Sequence, residues 1–330
     1  MQEIMREVLI QKTEELLSAG TVDRVLGLMR GEFCYDVTPA VFESAEALEQ
    51  GFVWNDFCGA NFSKALVREA GKGEGKILVF LKPCDTYSFN QLLTEHRFDR
   101  EKVYAVGIPC AGMLDPYRVR ALAESVAAVE DDGKTVTVET LFDGKKTAPR
   151  EQLLAERCLS CKSKKHVAYD ELLGEDGEEL DSHRFDEVER LEAMTPDERF
   201  AFWQGELSRC IRCNACRDIC PACTCEKCVF DNPNSGVENK AAANSFEEKM
   251  FHIIRAFHVA GRCTDCGECS RVCPQHIPLH LLNRKFILDI DRAYGEYQAG
   301  AEAGSRAPIV NYTTGDPEPR EVVERGGDHA

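Results

Sequence analysis

CIRCNACRDICP at residues 210–221 is followed by a second run of the same pattern, CTDCGECSRVCP, at residues 263–274. Each run reads C-x2-C-x2-C-x3-C-P, a spacing that supplies three thiolates to one cubane iron–sulfur cluster and a fourth to its neighbour. A single copy would also be compatible with chance or with zinc. Two copies that both close with Cys-Pro favour a pair of clusters. The sequence therefore predicts a protein that carries single electrons.

The spacing also predicts which thiolates act together. Three cysteines at i, i+3 and i+6 of a tightly turning loop direct their sulfur atoms into one concavity. The cysteine before proline lies where the chain leaves the helical region, so its thiolate points toward the other cluster. We therefore predict that one [4Fe–4S] cluster is held by Cys210, Cys213, Cys216 and Cys273, and the second by Cys263, Cys266, Cys269 and Cys220.

Length and charge limit the function further. The chain has 330 residues, enough for two domains, and a formal net charge of −17. That charge argues against nucleic acid, whose phosphates need a basic surface. An acidic surface suits docking onto basic redox partners, although solubility alone explains it equally well.

The same sequence contains no apolar run of membrane-span length and no signal peptide, and cysteines in cluster spacing imply a reducing compartment. We therefore predict a cytoplasmic protein without a membrane span.

The first half of the chain alternates strand and helix signals, which predicts an α/β domain with a mostly parallel sheet over residues 1–155. Ile77–Leu81 and Val103–Ile108 are short continuous apolar runs, typical of strands that are buried on both faces. Helices are predicted around Ser63–Ala70 and Thr86–Thr94. Thr135–Thr140 alternates apolar and polar residues and is predicted to be an edge strand.

Both apolar runs end in a Pro-Cys pair, which gives Cys84 and Cys110. Ligands of open parallel sheets bind at the carboxyl ends of the strands. The two cysteines are therefore candidates for a ligand-binding or redox site. The competing interpretation is that each is a small buried apolar residue.

The rest of the chain divides into three segments. Residues 156–194 contain a cysteine pair and an acidic linker, and residues 195–298 form a mainly α-helical dicluster ferredoxin domain. A Thr195–Glu198 capping box begins the helix that leads to the first motif. Before the second motif, a helix carries Phe246, Met250, Ile253 and Phe257 on one face, which is predicted to pack against the clusters. Residues 299–330 are predicted to be a flexible tail.

Two further cysteine pairs, Cys158 with Cys161 and Cys225 with Cys228, could close one four-thiolate site. A third [4Fe–4S] cluster and a tetrahedral zinc ion both fit that ligand set, and Cys223 could replace Cys225. Free thiols are the remaining interpretation.

The cluster domain resembles the α-helical two-cluster ferredoxin modules of heterodisulfide reductase, glycerol-3-phosphate dehydrogenase and succinate dehydrogenase iron–sulfur subunits. The resemblance rests on the two motifs, on the helix between them and on the residues 275–285 that follow.

The N-terminal half, through the stretches 82–85 and 106–110, resembles the coenzyme F420 hydrogenase and formate dehydrogenase β-subunit family. That resemblance implies FAD, with Cys84 and Cys110 as the candidate flavin or redox site. It also implies iron–sulfur clusters and electron transfer between a catalytic subunit and a two-electron carrier.

Together these features predict an electron-transfer subunit of an anaerobic oxidoreductase complex. The expected partners are redox subunits of a hydrogenase, formate dehydrogenase or heterodisulfide reductase type, on which any catalysis would depend. Two alternatives remain open. One is a non-catalytic relay and docking subunit, and the other is the electron-input subunit of an anaerobic sulfite reductase.

Overall fold

A computed structural model describes residues 2–73, 75–232, 234 and 245–310. The strands are β1 (Arg24–Arg30), β2 (Val37–Phe42), β3 (Ile77–Leu81), β4 (Val103–Gly107), β5 (Val126–Asp131), β6 (Thr135–Thr140), β7 (Lys145–Pro149) and β8 (Glu171–Leu172). The helices of the described residues are α1 (Gln2–Ser18), α2 (Ala45–Gly51), α3 (Ser63–Ala70), α4 (Pro83–Thr94), α5 (Pro116–Leu122), α6 (Arg150–Leu153), α7 (Glu156–Leu159), α8 (Asp186–Glu192), α9 (Pro196–Ser208), α10 (Ala215–Asp218), α11 (Ser245–His258), α12 (Glu268–Arg271) and α13 (Leu279–Tyr294). None of these helices is both long and apolar enough to cross a membrane.

The N-terminal half is an α/β domain, as the sequence predicts. Its five-stranded sheet has the order β2-β1-β3-β4-β8. Strand β1 pairs antiparallel with β2, and the other three pairings are parallel. Every residue of β3 is buried, and helices α3 and α4 pack against this strand. The continuous apolar run thus correctly identified a central strand.

Two features of this domain differ from the expectation. Strand β6 is not an edge strand: it is the middle strand of a separate three-stranded antiparallel sheet, between β5 and β7. The alternation of Val136 and Val138 shows only that one face is buried, not how many strands flank it. Strand β8 was missed, because it is two half-buried residues inside an acidic segment. It joins the sheet beside β4, so the sheet continues beyond residue 155.

Helix α4 begins three residues earlier than expected, and this places Cys84 in its first turn. Pro83 is the first helical residue, where a missing N–H costs nothing. The Asp85 carboxylate accepts a hydrogen bond from the Lys82 amide at 3.1 Å. It also pairs with the Lys82 ammonium at 2.7 Å, and both side chains are buried. The strand end is therefore fixed by an internal ion pair.

The cluster domain is helical, and α9 begins at the predicted capping box. The Thr195 hydroxyl accepts from the Glu198 amide, and the Glu198 carboxylate accepts from the Thr195 amide. Helix α11 leads to Gly261, which has a φ of +69° just before the second motif. Helices α9 and α13 both pack against α11.

The prediction of which α11 face is buried was wrong. Met250, Ile253 and Phe257 are exposed, while Phe251, His252, Arg255, Ala256 and Val259 are buried. Phe246 lies outside the described side chains. The apolar periodicity predicts the wrong face because the buried face of α11 carries two polar side chains, His252 and Arg255.

The predicted C-terminal tail is packed where it begins. Ala299 and Ala307 are buried, and the Gly304 amide donates to the Thr94 hydroxyl of α4. Residues 311–330 lie outside the described residues.

Candidate functional site

The four cysteines predicted for the first cluster line one cavity. Cys210, Cys213 and Cys216 come from the first motif and Cys273 from the second. Within the first motif, Arg212 and Asn214 have φ values of +55° and +63°. These left-handed residues turn the loop tightly enough for the sulfur atoms to face one side. Cys213 is exposed, so this cavity lies near the protein surface.

The second set consists of the four cysteines predicted for the second cluster, Cys263, Cys266, Cys269 and Cys220. Its loop also turns through residues with positive φ values. Asp265 and Gly267 take positive φ values of +57° and +69° between its cysteines. Cys220, from the first motif, is an electrostatic neighbour of Cys263, Cys266 and Cys269. Burial raises the pKa of the Cys263 thiol to about 12, with further contributions from Asp265 and Cys220. A ligand must be a thiolate, and iron would replace these protons.

A third group of cysteines lies at the carboxyl edge of the α/β sheet. Cys84 follows β3, Cys110 follows β4, and Cys158 and Cys161 come from α7 and the residues just after it; all four line one cavity. Burial raises the pKa of Cys84 and of Cys110. We call Cys84, Cys110, Cys158 and Cys161 the sheet-edge set.

This grouping differs from the one expected from sequence. Cys158 and Cys161 were paired with Cys225 and Cys228, but among the described residues of the cavity lining their companions are Cys84 and Cys110. Cys225 is exposed, and Cys228 packs beside the helical core of the cluster domain. Spacing alone could not find this set, because Cys84 and Cys110 follow two different strands whereas Cys158 and Cys161 lie on and just after α7.

Cationic side chains surround the sheet-edge set. Arg157, Lys162 and Lys164 line the same cavity, and Lys82 lies behind it as an electrostatic neighbour of Cys84 and Cys110. Burial lowers the pKa of Lys162 to about 8, although Asp265 and two cysteines of the second set oppose the shift. Positive charge of this kind favours thiolates and the anionic group that they would hold.

The sheet-edge set directly adjoins the second cysteine set. Asp265 and Cys266 of the second motif form part of the cavity wall. Arg157 donates a hydrogen bond to the Cys266 carbonyl oxygen at 3.0 Å and also contacts the Glu268 carboxylate and the Gly59 carbonyl oxygen. The three cysteine sets therefore follow one another from the sheet edge to the exposed Cys213.

The polar groups beside the cysteines test whether iron–sulfur clusters fit these residues. Buried polar atoms without a protein partner occur beside the cysteines, namely His252 Nδ1, Asn283 Oδ1 and all three nitrogens of the Arg255 guanidinium. The residues therefore fit iron–sulfur clusters.

The cavity at the sheet edge does not fit the flavin that the sequence suggested for Cys84 and Cys110. Its walls are the Cys158–Cys161 loop and the second cluster motif, and none of its described lining residues has an aromatic ring on which a flavin could stack. We therefore assign no flavin to this cavity.

The dicluster module and most of the chain have similar counterparts among known proteins. Residues 206–277 match the family model of the 4Fe-4S dicluster domain. The chain is 25% identical over 354 aligned residues to the F420-dependent formate dehydrogenase subunit beta of Methanocaldococcus jannaschii, covering 90% of this chain and 92% of the relative. It is 24% identical to the F420-dependent formate dehydrogenase 1 subunit beta of Methanococcus maripaludis, covering 65% of this chain and 71% of the relative.

Among solved structures, a chain of the F420-reducing [NiFe] hydrogenase complex from Methanosarcina barkeri aligns with a TM-score of 0.38 at 14% identity, covering 62% of this chain and 86% of that chain. The sequence relatives confirm the predicted resemblance to β subunits of F420-dependent formate dehydrogenase. The family model confirms the dicluster module.

Proposed function

We propose that this chain is the iron–sulfur electron-transfer subunit of a formate dehydrogenase-like or hydrogenase-like complex. Three adjoining cysteine sets, reaching from the sheet edge to the protein surface, are the observation that carries the proposal. The names of the sequence relatives suggest a formate-oxidising catalytic subunit as the partner and coenzyme F420 as the two-electron carrier. They favour this function over the relay and sulfite reductase alternatives.

In this proposal the chain holds three [4Fe–4S] clusters. The first takes Cys210, Cys213, Cys216 and Cys273, the second takes Cys263, Cys266, Cys269 and Cys220, and the third takes the sheet-edge set, Cys84, Cys110, Cys158 and Cys161. When bound, such clusters accept and donate single electrons. The protein contributes position, since the second cysteine set adjoins both of the others.

Apolar and cationic side chains around the cysteines also support electron transfer. Phe251, Ile277 and Leu279 line the first cavity and restrict the access of water to it. Arg157 and Lys162 place positive charge between the sheet-edge set and the second set. Lower solvent access and nearby cations both affect the potentials of thiolate-bound clusters.

The assignment of Cys158 and Cys161 to a third cluster also changes the expected domain boundaries. We propose that the α/β domain extends through β8, and that the segment 156–194 is a part of the electron path rather than a linker. Eight of the 17 cysteines lie in cluster spacing, so we propose a reducing compartment such as the cytoplasm.

The iron content tests the third cluster. We expect roughly twelve iron atoms in each chain purified without oxygen, and roughly eight if only the two motifs bind clusters. The variant Cys158→Ala/Cys161→Ala should lose about four iron atoms, because alanine cannot ligate iron. The matched variant Cys225→Ala/Cys228→Ala should keep the wild-type content.

A loss of iron in both variants would instead support the grouping of Cys158 and Cys161 with Cys225 and Cys228. Unchanged iron in both would remove the third cluster from the proposal. Zinc analysis of the same samples separates a zinc site from a cluster.

Flavin analysis separates the enzyme subunit from a relay. Stoichiometric FAD in the purified chain would establish a two-electron site elsewhere in the α/β domain. If the chain contains no FAD and transfers electrons only when a partner is present, the result would favour a relay and docking subunit.

A further inference from the structure

Arg255 is the most poorly satisfied charged side chain in the described part of the protein. Its side chain lies in the interior of the cluster domain and is 2% exposed. Nε, Nη1 and Nη2 all lack a hydrogen-bond partner. A guanidinium carries five N–H donors, and burial without acceptors is costly. An acceptor of another kind is therefore needed at this position.

The surroundings of Arg255 indicate what that acceptor is. Arg255 lies on the inner face of α11, three residues after His252, whose Nε2 is 3.3 Å from Cys210 Sγ. Its electrostatic neighbours are Cys216 of the first set, Cys220 and Cys269 of the second set, and Cys223. Although burial opposes it, these thiols raise the pKa of Arg255, so the side chain remains a cation. The guanidinium thus has cysteines of both sets as electrostatic neighbours.

Arg157 provides an internal comparison. It is similarly buried beside cysteines, but its nitrogens contact two carbonyl oxygens and the Glu268 carboxylate. The missing partners of Arg255 are therefore not a general property of arginines near these sets.

We propose that Arg255 is a positioning residue for both ferredoxin-type clusters, donating N–H hydrogen bonds to their sulfur atoms and raising the reduction potential of each. This inference rests on the proposed function, because it needs clusters at both sites. Reduction adds one negative charge to a cluster, and a fixed cation stabilises that charge. One cation that neighbours both clusters favours the reduced form of both.

The test is a redox titration followed by EPR on the full chain, purified without oxygen. Arg255→Gln keeps hydrogen-bonding capacity but removes the charge. We expect it to disfavour reduction of both ferredoxin-type clusters about tenfold, equivalent to a potential about 59 mV lower for one electron. Arg255→Lys should recover most of the shift, and the sheet-edge cluster should keep its potential.

Arg217→Gln is the matched control. Arg217 is also next to a ligand cysteine, but its charge is already compensated by Asp218 at 3.0 Å and Asp231 at 2.9 Å. This variant should leave the potentials near those of the wild type.

Each outcome decides a different point. A wild-type chain without two cubane EPR signals would overturn the proposed function itself. Clusters retained in Arg255→Gln at wild-type potentials would overturn the role of Arg255. If the glutamine variant loses its clusters, Arg255→Lys decides: retention of both clusters supports a role of the charge, whereas loss in both variants indicates packing and contradicts the proposal.

Discussion

Cys263→Ala is expected to divide the electron path at its centre. The variant should lose about four iron atoms, since alanine cannot replace the thiolate. The two remaining clusters would then be the outer ones, at the sheet edge and beside Cys213. Because the second cysteine set adjoins both others, no neighbouring pair would remain. Electron transfer through the chain should be abolished, and the EPR spectrum of the reduced protein should show two isolated clusters without spin coupling.

Cys213→Ala is the matched control for the order of the sites. It should remove a similar amount of iron from the outer, exposed end of the series. The sheet-edge cluster and the second cluster would remain neighbours, so the reduced variant should still show coupled EPR signals. If coupling persisted in Cys263→Ala and disappeared in Cys213→Ala, the proposed order of the three sites would be refuted.

Glu268→Gln is expected to destabilise the junction between the two domains by about 3–5 kcal/mol. Glu268 is fully buried and pairs with Arg271 through two contacts of 2.7 Å. Arg157 reaches the same carboxylate from the α/β side. A neutral amide would leave the buried Arg157 and the half-buried Arg271 without their shared counter-charge. The urea midpoint, followed by circular dichroism and by cluster absorbance, measures the effect.

The pairing of Glu268 with Arg271 and Arg157 also makes the stability of the protein depend on acid pH. Burial favours the neutral acid, but Arg271 and Arg157 outweigh it and lower the pKa of Glu268 to about 2 from an ordinary value of 4.5. A lowered folded-state pKa stabilises the protein above pH 4.5, and this stabilisation is lost as the pH falls toward 2. In Glu268→Gln this part of the acid dependence should be absent.

Glu156→Gln is the control, because Glu156 forms an exposed ion pair with Arg118. Such a pair contributes at most about 1 kcal/mol. Equal urea midpoints for Glu268→Gln and Glu156→Gln would contradict a structural role for the buried pair.

Hydrophobic periodicity located secondary structure well but failed on the inner face of α11. The apolar run of Ile77–Leu81 is a buried strand, as expected. On α11, the apolar side chains Met250, Ile253 and Phe257 are exposed, whereas His252 and Arg255 are buried. Periodicity assumes that the interior is apolar. An interior that holds anionic clusters favours donors and cations, so the rule chose the wrong face.

The sequence by itself determined the dicluster module, since its ligands lie within two short runs whose spacing is a local property. The exchange of Cys220 and Cys273 between the runs stays a prediction from the proline after each cysteine, and Cys273 lines one cavity with Cys210, Cys213 and Cys216. Only the tertiary structure brought Cys84 and Cys110 to Cys158 and Cys161. Those four are separated by up to 77 positions, from Cys84 to Cys161. Cys84 and Cys110 meet because parallel strands end at one edge of a sheet, and the chain through α7 brings Cys158 and Cys161 to the same cavity. The roles of Arg157 and Arg255 could not be predicted from the sequence either. Both depend on which helices and loops pack together, and the local spacing of residues does not encode that packing.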